Sequence, residues 1–441
     1  MLTKSRKNYL WLIAEKSVGV AGVFFINALV AKYVGAAIIG QIAIAVAVFQ
    51  VVQVAGLFGS DVFLYKRVAL NFGGGLQLMS PILLIRNVIY IVLSILAIFF
   101  LSVKMDSTGI LLSISVCIAY YFYTVDTFST INESLLNSKV NAIANVIGLL
   151  IGLISRTLMV HYKVPNVFFG VPLIIISSVP YFLKVYIFRF QKGINTTSNT
   201  KKFRKRLVYL CQAGSLLFFP AIITAIYPRL NVILIYYQYG DEQAGIYSVS
   251  QMIATSWSFV LLSLLTSCLP ALFKERNEMQ IIKVAARLHL QIIFLAMPVI
   301  FIVLVSVEHL IMYLYGGKFE EAILPCEILC FSILLSTLGL ASSKVILKFS
   351  GYKFILFKTV FVLILCTLLS FLLSSKFGLV GAACAIVITE FFSLTVINYL
   401  FRQGVVLLVH IEVFRGGSRY WRELFGKVFT RKDKTSRINS E

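Results

Sequence analysis

Long apolar runs alternate along this chain with short polar segments, and the runs have the length of membrane-crossing helices. A helix needs about 20 mostly apolar residues to cross a bilayer. Runs of that order lie at about 10–33, 39–63, 81–103, 109–132, 140–162, 167–189, 207–238, 243–270, 288–315, 322–347, 354–375 and 379–402. The pattern predicts an all-α integral membrane protein with twelve transmembrane helices. Composition agrees: 59% of the 441 residues are hydrophobic and only 13% charged, with 36 Phe and 21 Tyr. That lies outside the range of soluble domains.

One short stretch between runs occurs twice. Val34-Gly35-Ala36-Ala37-Ile38-Ile39-Gly40-Gln41-Ile42 joins the first two runs, and Tyr239-Gly240-Asp241-Glu242-Gln243-Ala244-Gly245-Ile246-Tyr247 joins the seventh and eighth. The offset between copies is the same at both glycines, so Gly35, Gly40, Gly240 and Gly245 are read as structural turns of an internal repeat. An even number of runs separates the copies, which gives the halves one orientation and relates them by a pseudo-twofold along the membrane normal. The predicted divisions are an N-terminal six-helix lobe at 1–190, a basic linker at 191–206, a C-terminal six-helix lobe at 207–402 and a basic tail at 403–441.

Charge then sets the orientation. The net charge of +22 would suggest nucleic acid in a soluble protein, but here the cations sit in alternate connections. Lys4, Arg6 and Lys7, Lys66 and Arg67, Lys139, the stretch from Lys184 through Arg206, Lys274 to Arg287, Lys348 to Lys358 and the tail after Arg402 all fall on one side. By the positive-inside rule both termini are cytoplasmic. The first run is read as a retained helix and not a cleaved signal, since no small-x-small site follows it. The Asn195-Thr196-Thr197 sequon is read as chance in a cytoplasmic loop, and the tail, with Trp421, Phe425 and Phe429 among its cations, as an amphipathic segment on the inner leaflet. Seven cysteines without Cys-x-x-Cys spacing read as buried apolar residues, and no metal-ligand set or catalytic residue is predicted.

The two six-helix halves, the Tyr-Gly-x-x-x-x-Gly-Ile-Tyr turn at 239–247, the segment Leu314-Tyr315-Gly316-Gly317-Lys318-Phe319-Glu320-Glu321-Ala322 and the segment Phe377-Gly378-Leu379-Val380-Gly381-Ala382-Ala383 resemble the polysaccharide-transport, Wzx-type O-antigen flippase branch of the MOP exporter superfamily, which is MATE-like in fold. The resemblance implies a flippase of the bacterial inner membrane. Its cargo would be an undecaprenyl-pyrophosphate-linked oligosaccharide, moved from the inner to the outer leaflet by alternating opening of two lobes around a cationic lumen. It further implies membrane lipids, a polysaccharide polymerase and a chain-length regulator as partners, a monomeric state, no cofactor and no nucleic acid.

Charged residues inside the runs are the candidates for such a lumen. A central Arg, Lys or Asp costs about 2.5–3.5 kcal/mol to insert, so it must face water, substrate or a partner charge. Lys16, Asp61, Arg86 and Glu133 lie within a turn or two of the cytoplasmic ends and can snorkel. Arg156 and Arg229 lie deeper, and Pro228 removes a backbone donor beside Arg229. Arg229, Arg156, Lys16 and Arg86 are the predicted substrate-binding residues, because guanidinium offers a permanent charge and a planar fork to phosphate oxygens. Each has the alternative of a structural ion pair. The sequence has no Gly-x-x-x-x-Gly-Lys-Ser/Thr motif, so energy comes from an ion gradient, the substrate gradient or later polymerisation. Asp126 and Glu390 are the candidates for ion coupling, with an ion pair to a nearby cation as the alternative for each. The amides Asn27, Gln50, Gln53, Asn145, Gln212, Asn231 and Gln251, with Trp257, suit either sugar hydroxyls or helix–helix hydrogen bonds. Three rival functions stand beside the flippase: a cation-coupled multidrug antiporter, a lipid II exporter, and a membrane polymerase or ligase, which needs larger outer loops than these.

Overall fold

The computed structural model describes residues 2–192 and 200–415, with the side chains of 2–21, 23–26, 191–192, 200–202 and 216 outside that description. The sequon at 195–197, the side chain of Lys16 and the tail beyond 415 therefore lie outside the described residues. Every regular element described is helical: α1 Leu2–Leu57, α2 Ser60–Leu70, α3 Phe72–Ser102, α4 Ser107–Val125, α5 Thr127–Ser134, α6 Ser138–His161, α7 Val171–Lys192, α8 Thr200–Ile226, α9 Leu230–Thr255, α10 Ser258–Lys274, α11 Glu278–Leu314, α12 Ile323–Lys348 and α13 Tyr352–Phe392. A last helix covers 405–415.

Nine helical stretches among the described residues are long and apolar enough to cross a membrane. The two longest, Leu217–Thr255 with 39 residues and Tyr352–Ile397 with 46, exceed one crossing by the widest margin. Each is broken by a glycine, Gly240 (φ 83°, ψ −168°) or Gly378 (φ 57°, ψ −136°), and α1 is broken likewise at Gly35 (φ 84°, ψ 173°). The three breaks fall in gaps between runs expected from the sequence, and most of the run at 10–33 lies outside the residues whose side chains are described. Gly35 and Gly240 adopt nearly the same backbone conformation, in a region essentially closed to residues with a Cβ. The repeat is thus a repeat of backbone shape as well as of letters.

Other runs are interrupted where polar chemistry competes with the helix. The run expected at 109–132 is two helices, because the Asp126 side chain accepts from Ser129 N at 3.1 Å and starts α5 afresh. The run at 207–238 changes to a 3₁₀ turn over Tyr227–Arg229 at Pro228, where the helix loses a donor. The run at 39–63 stops at Leu57; Phe58 and Gly59 take positive φ, and α2 begins at Ser60.

The α3 helix shows the membrane pattern in one element. Val88, Ile91, Val92, Ile95 and Phe99 are exposed at helical spacing, with Phe99 at 71%. Arg86, Tyr90, Ser94, Ala97 and Leu101, on the other face, are buried. An apolar stripe outward and a partly polar stripe inward invert the soluble arrangement and fit a lipid-facing helix.

The chain divides into two compact units, one formed by Met1–Ile253, Glu308–Pro325 and Ser370–Ala382, the other by Ala254–Val307, Cys326–Leu369 and Ala383–Glu441. In the first, Leu64 and Val68 of α2, Leu76, Met79 and Ile82 of α3, Ile131 of α5, Phe188 of α7 and Leu210 of α8 form an apolar cluster. In the second, Leu272, Ile281, Ile282, Ala285 and Val345 pack with Val405 and Val409 of the last helix.

Candidate functional site

Arg229 ends the 3₁₀ turn that Pro228 introduces between α8 and α9. Gln251, on the far arm of α9, donates from Nε2 to the Pro228 carbonyl at 2.8 Å. The broken helix is thereby held in place. Arg229 itself forms no ion pair among the described residues, and its Nε is buried without a hydrogen-bond partner. The group within electrostatic reach is the Tyr120 hydroxyl of α4.

Arg156, on α6, is buried, with 7% exposure. Its Nη1 donates to Asn27 Oδ1 on α1, and Asn27 Nδ2 in turn meets Met252 Sδ at 3.3 Å. Tyr123 of α4 lies within electrostatic reach of this guanidinium. The Tyr120 and Tyr123 rings stand edge-on with centroids 5.7 Å apart. Two arginines from distant parts of the chain thus each lie within electrostatic reach of one member of a tyrosine pair on α4, all within the first unit. Sequence reasoning missed those tyrosines. The signal available was the aromatic cluster Tyr120-Tyr121-Phe122-Tyr123 inside an apolar run, and it reads equally as packing.

The other predicted charges are engaged elsewhere. Arg86 departs from the expectation of a snorkelling side chain: it is fully buried, with Nε on Ser60 Oγ at 2.9 Å, Nη1 on the Thr124 carbonyl at 2.8 Å and Nη2 on Asp61 Oδ1 at 2.5 Å. Asp61 accepts also from Thr130 Oγ1 at 3.0 Å. This guanidinium ties α2, α3 and α4 together and presents nothing to a path. Asp126 accepts from Lys184 Nζ at 2.7 Å and from Ser129 Oγ at 2.7 Å, so the ion-pair alternative describes its geometry. Glu390, 8% exposed in the second unit, lies within electrostatic reach of Lys358, whose Nζ meets Ser343 Oγ at 3.4 Å. The Lys16 side chain is outside the described residues. Of the amides, Asn231 donates to the Ala382 carbonyl at 2.8 Å and Gln251 to Pro228, which are helix–helix bonds.

The repeated turns meet each other. A Cβ on Gly40 would lie 1.8 Å from the Asp241 carbonyl oxygen, and one on Gly245 would lie 2.0 Å from the Ala36 carbonyl oxygen. Ala36 and Asp241 are repeat equivalents, so each second glycine packs on the turn of the other copy. A Cβ at Gly35 or Gly240 would meet nothing within 4 Å. The first glycine of each pair is therefore required by backbone conformation, and the second by close approach. Gln41 bridges the junction, donating from Nε2 to Asp106 Oδ1 at 2.9 Å and to Asp241 Oδ2 at 2.6 Å.

No protein-family model and no curated protein matches the chain. Solved structures do match in fold. Lipid II flippase MurJ, in an inward closed conformation, superposes with a TM-score of 0.67 at 14% identity over 92% of this chain and 91% of that one. An inward-facing multidrug resistance MATE family transporter of the MOP superfamily gives 0.64 at 14% identity over 92% and 94%. An outward-facing MATE transporter gives 0.61 at 13% over 92% and 96%. Identities this low establish a shared helical membrane fold.

Proposed function

We propose that this protein is a flippase that moves an undecaprenyl-pyrophosphate-linked oligosaccharide from the cytoplasmic to the outer leaflet of a bacterial inner membrane, by alternating access along a cationic path. The observation that carries the reading is Arg229. A cation inside a membrane is costly unless something compensates it, and here the Nε is buried without a partner beside the turn at Pro228. Arg156 supports it, since of its five donors one is directed to Asn27.

A pyrophosphate head group must leave water on its way through, and two guanidiniums offer charge-assisted hydrogen bonds in exchange. Tyr120 and Tyr123, within electrostatic reach of Arg229 and Arg156, supply hydroxyl donors and ring faces suited to phosphate and sugar. The polyprenyl tail stays in lipid throughout. The MurJ-like and MATE-like fold supports a transporter of this type, and an antiporter for cations gains less, because Asp126 and Asp61 already hold cations of their own.

Replacing Arg229 with Ala or Glu is expected to abolish surface polysaccharide while membrane levels of the protein stay normal, and Arg229→Lys to retain part of the activity. Full surface glycan in cells carrying inserted Arg229→Glu protein would overturn the assignment.

A further inference from the structure

A second cationic place lies in the first unit, outside the Arg156–Arg229 pair. It is a cavity of about 780 Å³ between α2, the start of α3 and α8, and Lys66, Arg67, Lys205 and Arg206 all line it. No carboxylate is among its lining residues, so its charge is not neutralised by the walls. Val62, Phe63, Leu70, Leu78 and Tyr209 give the lining its apolar surface. Leu70 is 74% exposed and Val62 58%, so that surface is open.

The cavity is built, and its walls are pinned. Asn71 caps α3 by accepting from Gly74 N at 2.9 Å, and a Cβ on Gly75 would lie 2.4 Å from Val68 Cγ2, so α2 folds back tightly on α3. Gly74 leaves room for the Arg67 Nε, which would stand 3.3 Å from a Cβ there. The positive end of the long α3 helix adds to the same field. On the other wall Arg206 donates to the Gln77 side chain and to the Gln77 carbonyl, which ties α8 to α3. Leu64, Val68, Leu76 and Leu210 pack beneath.

We infer that this cavity binds the phosphate-bearing head of a membrane lipid, with the cations on the phosphate and the apolar wall on the first part of the chain. Cations alone would suit any anion, and an apolar wall alone any detergent-like molecule. Their juxtaposition selects an anionic amphiphile. The volume falls within that of small-molecule sites, and the four cations belong to the connections that the positive-inside rule places at the cytoplasmic leaflet, where anionic head groups lie. Nothing in the inference depends on which molecule Arg229 handles.

The test uses the purified full chain in neutral detergent, with binding of phosphatidylglycerol, of undecaprenyl pyrophosphate and of inorganic phosphate measured by native mass spectrometry. The variant Lys66→Ala/Arg67→Ala/Lys205→Ala leaves the Arg206–Gln77 tie intact and should weaken lipid binding at least tenfold. Leu70→Ser with Val62→Ser, at exposed positions, should weaken whichever lipid the first variant loses and leave phosphate unchanged. Lys274→Ala/Lys283→Ala/Arg287→Ala, which removes as many cations elsewhere, should have no effect. Loss with one lipid alone identifies the source of the head group and supports the site. Unchanged affinity in the first variant, equal loss in the third, or inorganic phosphate competing as strongly as lipid would each overturn it.

Discussion

At Arg86 the guanidinium reaches Ser60, Thr124 and Asp61, whereas at Arg229 one nitrogen is buried with no partner. Both are arginines inside apolar runs, and the difference between them is a matter of neighbours. Breaking a buried pair leaves an uncompensated charge and costs a few kcal/mol. Asp61 is partly exposed, so the lower end of that range applies. Asp61→Ala is expected to destabilise the protein by about 3 kcal/mol, with Asp61→Asn milder because the amide can still accept. A thermal unfolding midpoint in detergent would check it; a midpoint unchanged in Asp61→Ala would mean that the pair contributes nothing. Arg229→Ala should leave the same midpoint unchanged or raised, which separates a functional arginine from a structural one.

Elements show how much a short motif can mean. The Gly-x-x-x-x-Gly spacing was legible in the sequence as a turn repeated between runs, and Gly35 and Gly240 do break α1 and α9 with the same backbone shape. That Gly40 and Gly245 pack crosswise on the opposite copy was not legible, because periodicity along one chain holds no information on which turns meet. Gly40→Ala and Gly245→Ala should each destabilise by about 1–3 kcal/mol through overpacking. The double variant should lose about 1 kcal/mol less than the sum, since one junction has been opened twice. Strict additivity in a double-mutant cycle would rule out the crossed contact. Asp126 teaches the opposite lesson at this scale. A carboxylate inside an apolar run raised two readings, and its pairing with Lys184 came from α7, whose distance from α4 no local pattern encodes.

At the scale of the whole molecule the alternation of basic and neutral connections predicts sidedness. With exposed Cys211 replaced by serine, a cysteine at Glu242 should react with a membrane-impermeant maleimide in intact cells, and one at Lys283 should react only after lysis. Labelling of both from outside would invalidate the assigned topology. What the sequence by itself determined is the class of protein: the length and apolarity of the runs, the glycine punctuation and the cation asymmetry are local quantities, and bilayer thickness and leaflet charge act on them directly. Which charges are partnered only the tertiary structure decided. Burial and pairing depend on residues far apart in the chain: Arg156 finds Asn27, Lys66 and Arg67 share a cavity with Lys205 and Arg206, and Arg229 lies within electrostatic reach of Tyr120 and pairs with no carboxylate among the described residues. Packing distance, which the order of residues does not state, turned a set of like-looking cations into a structural tie, a lipid-phosphate cavity and a candidate path.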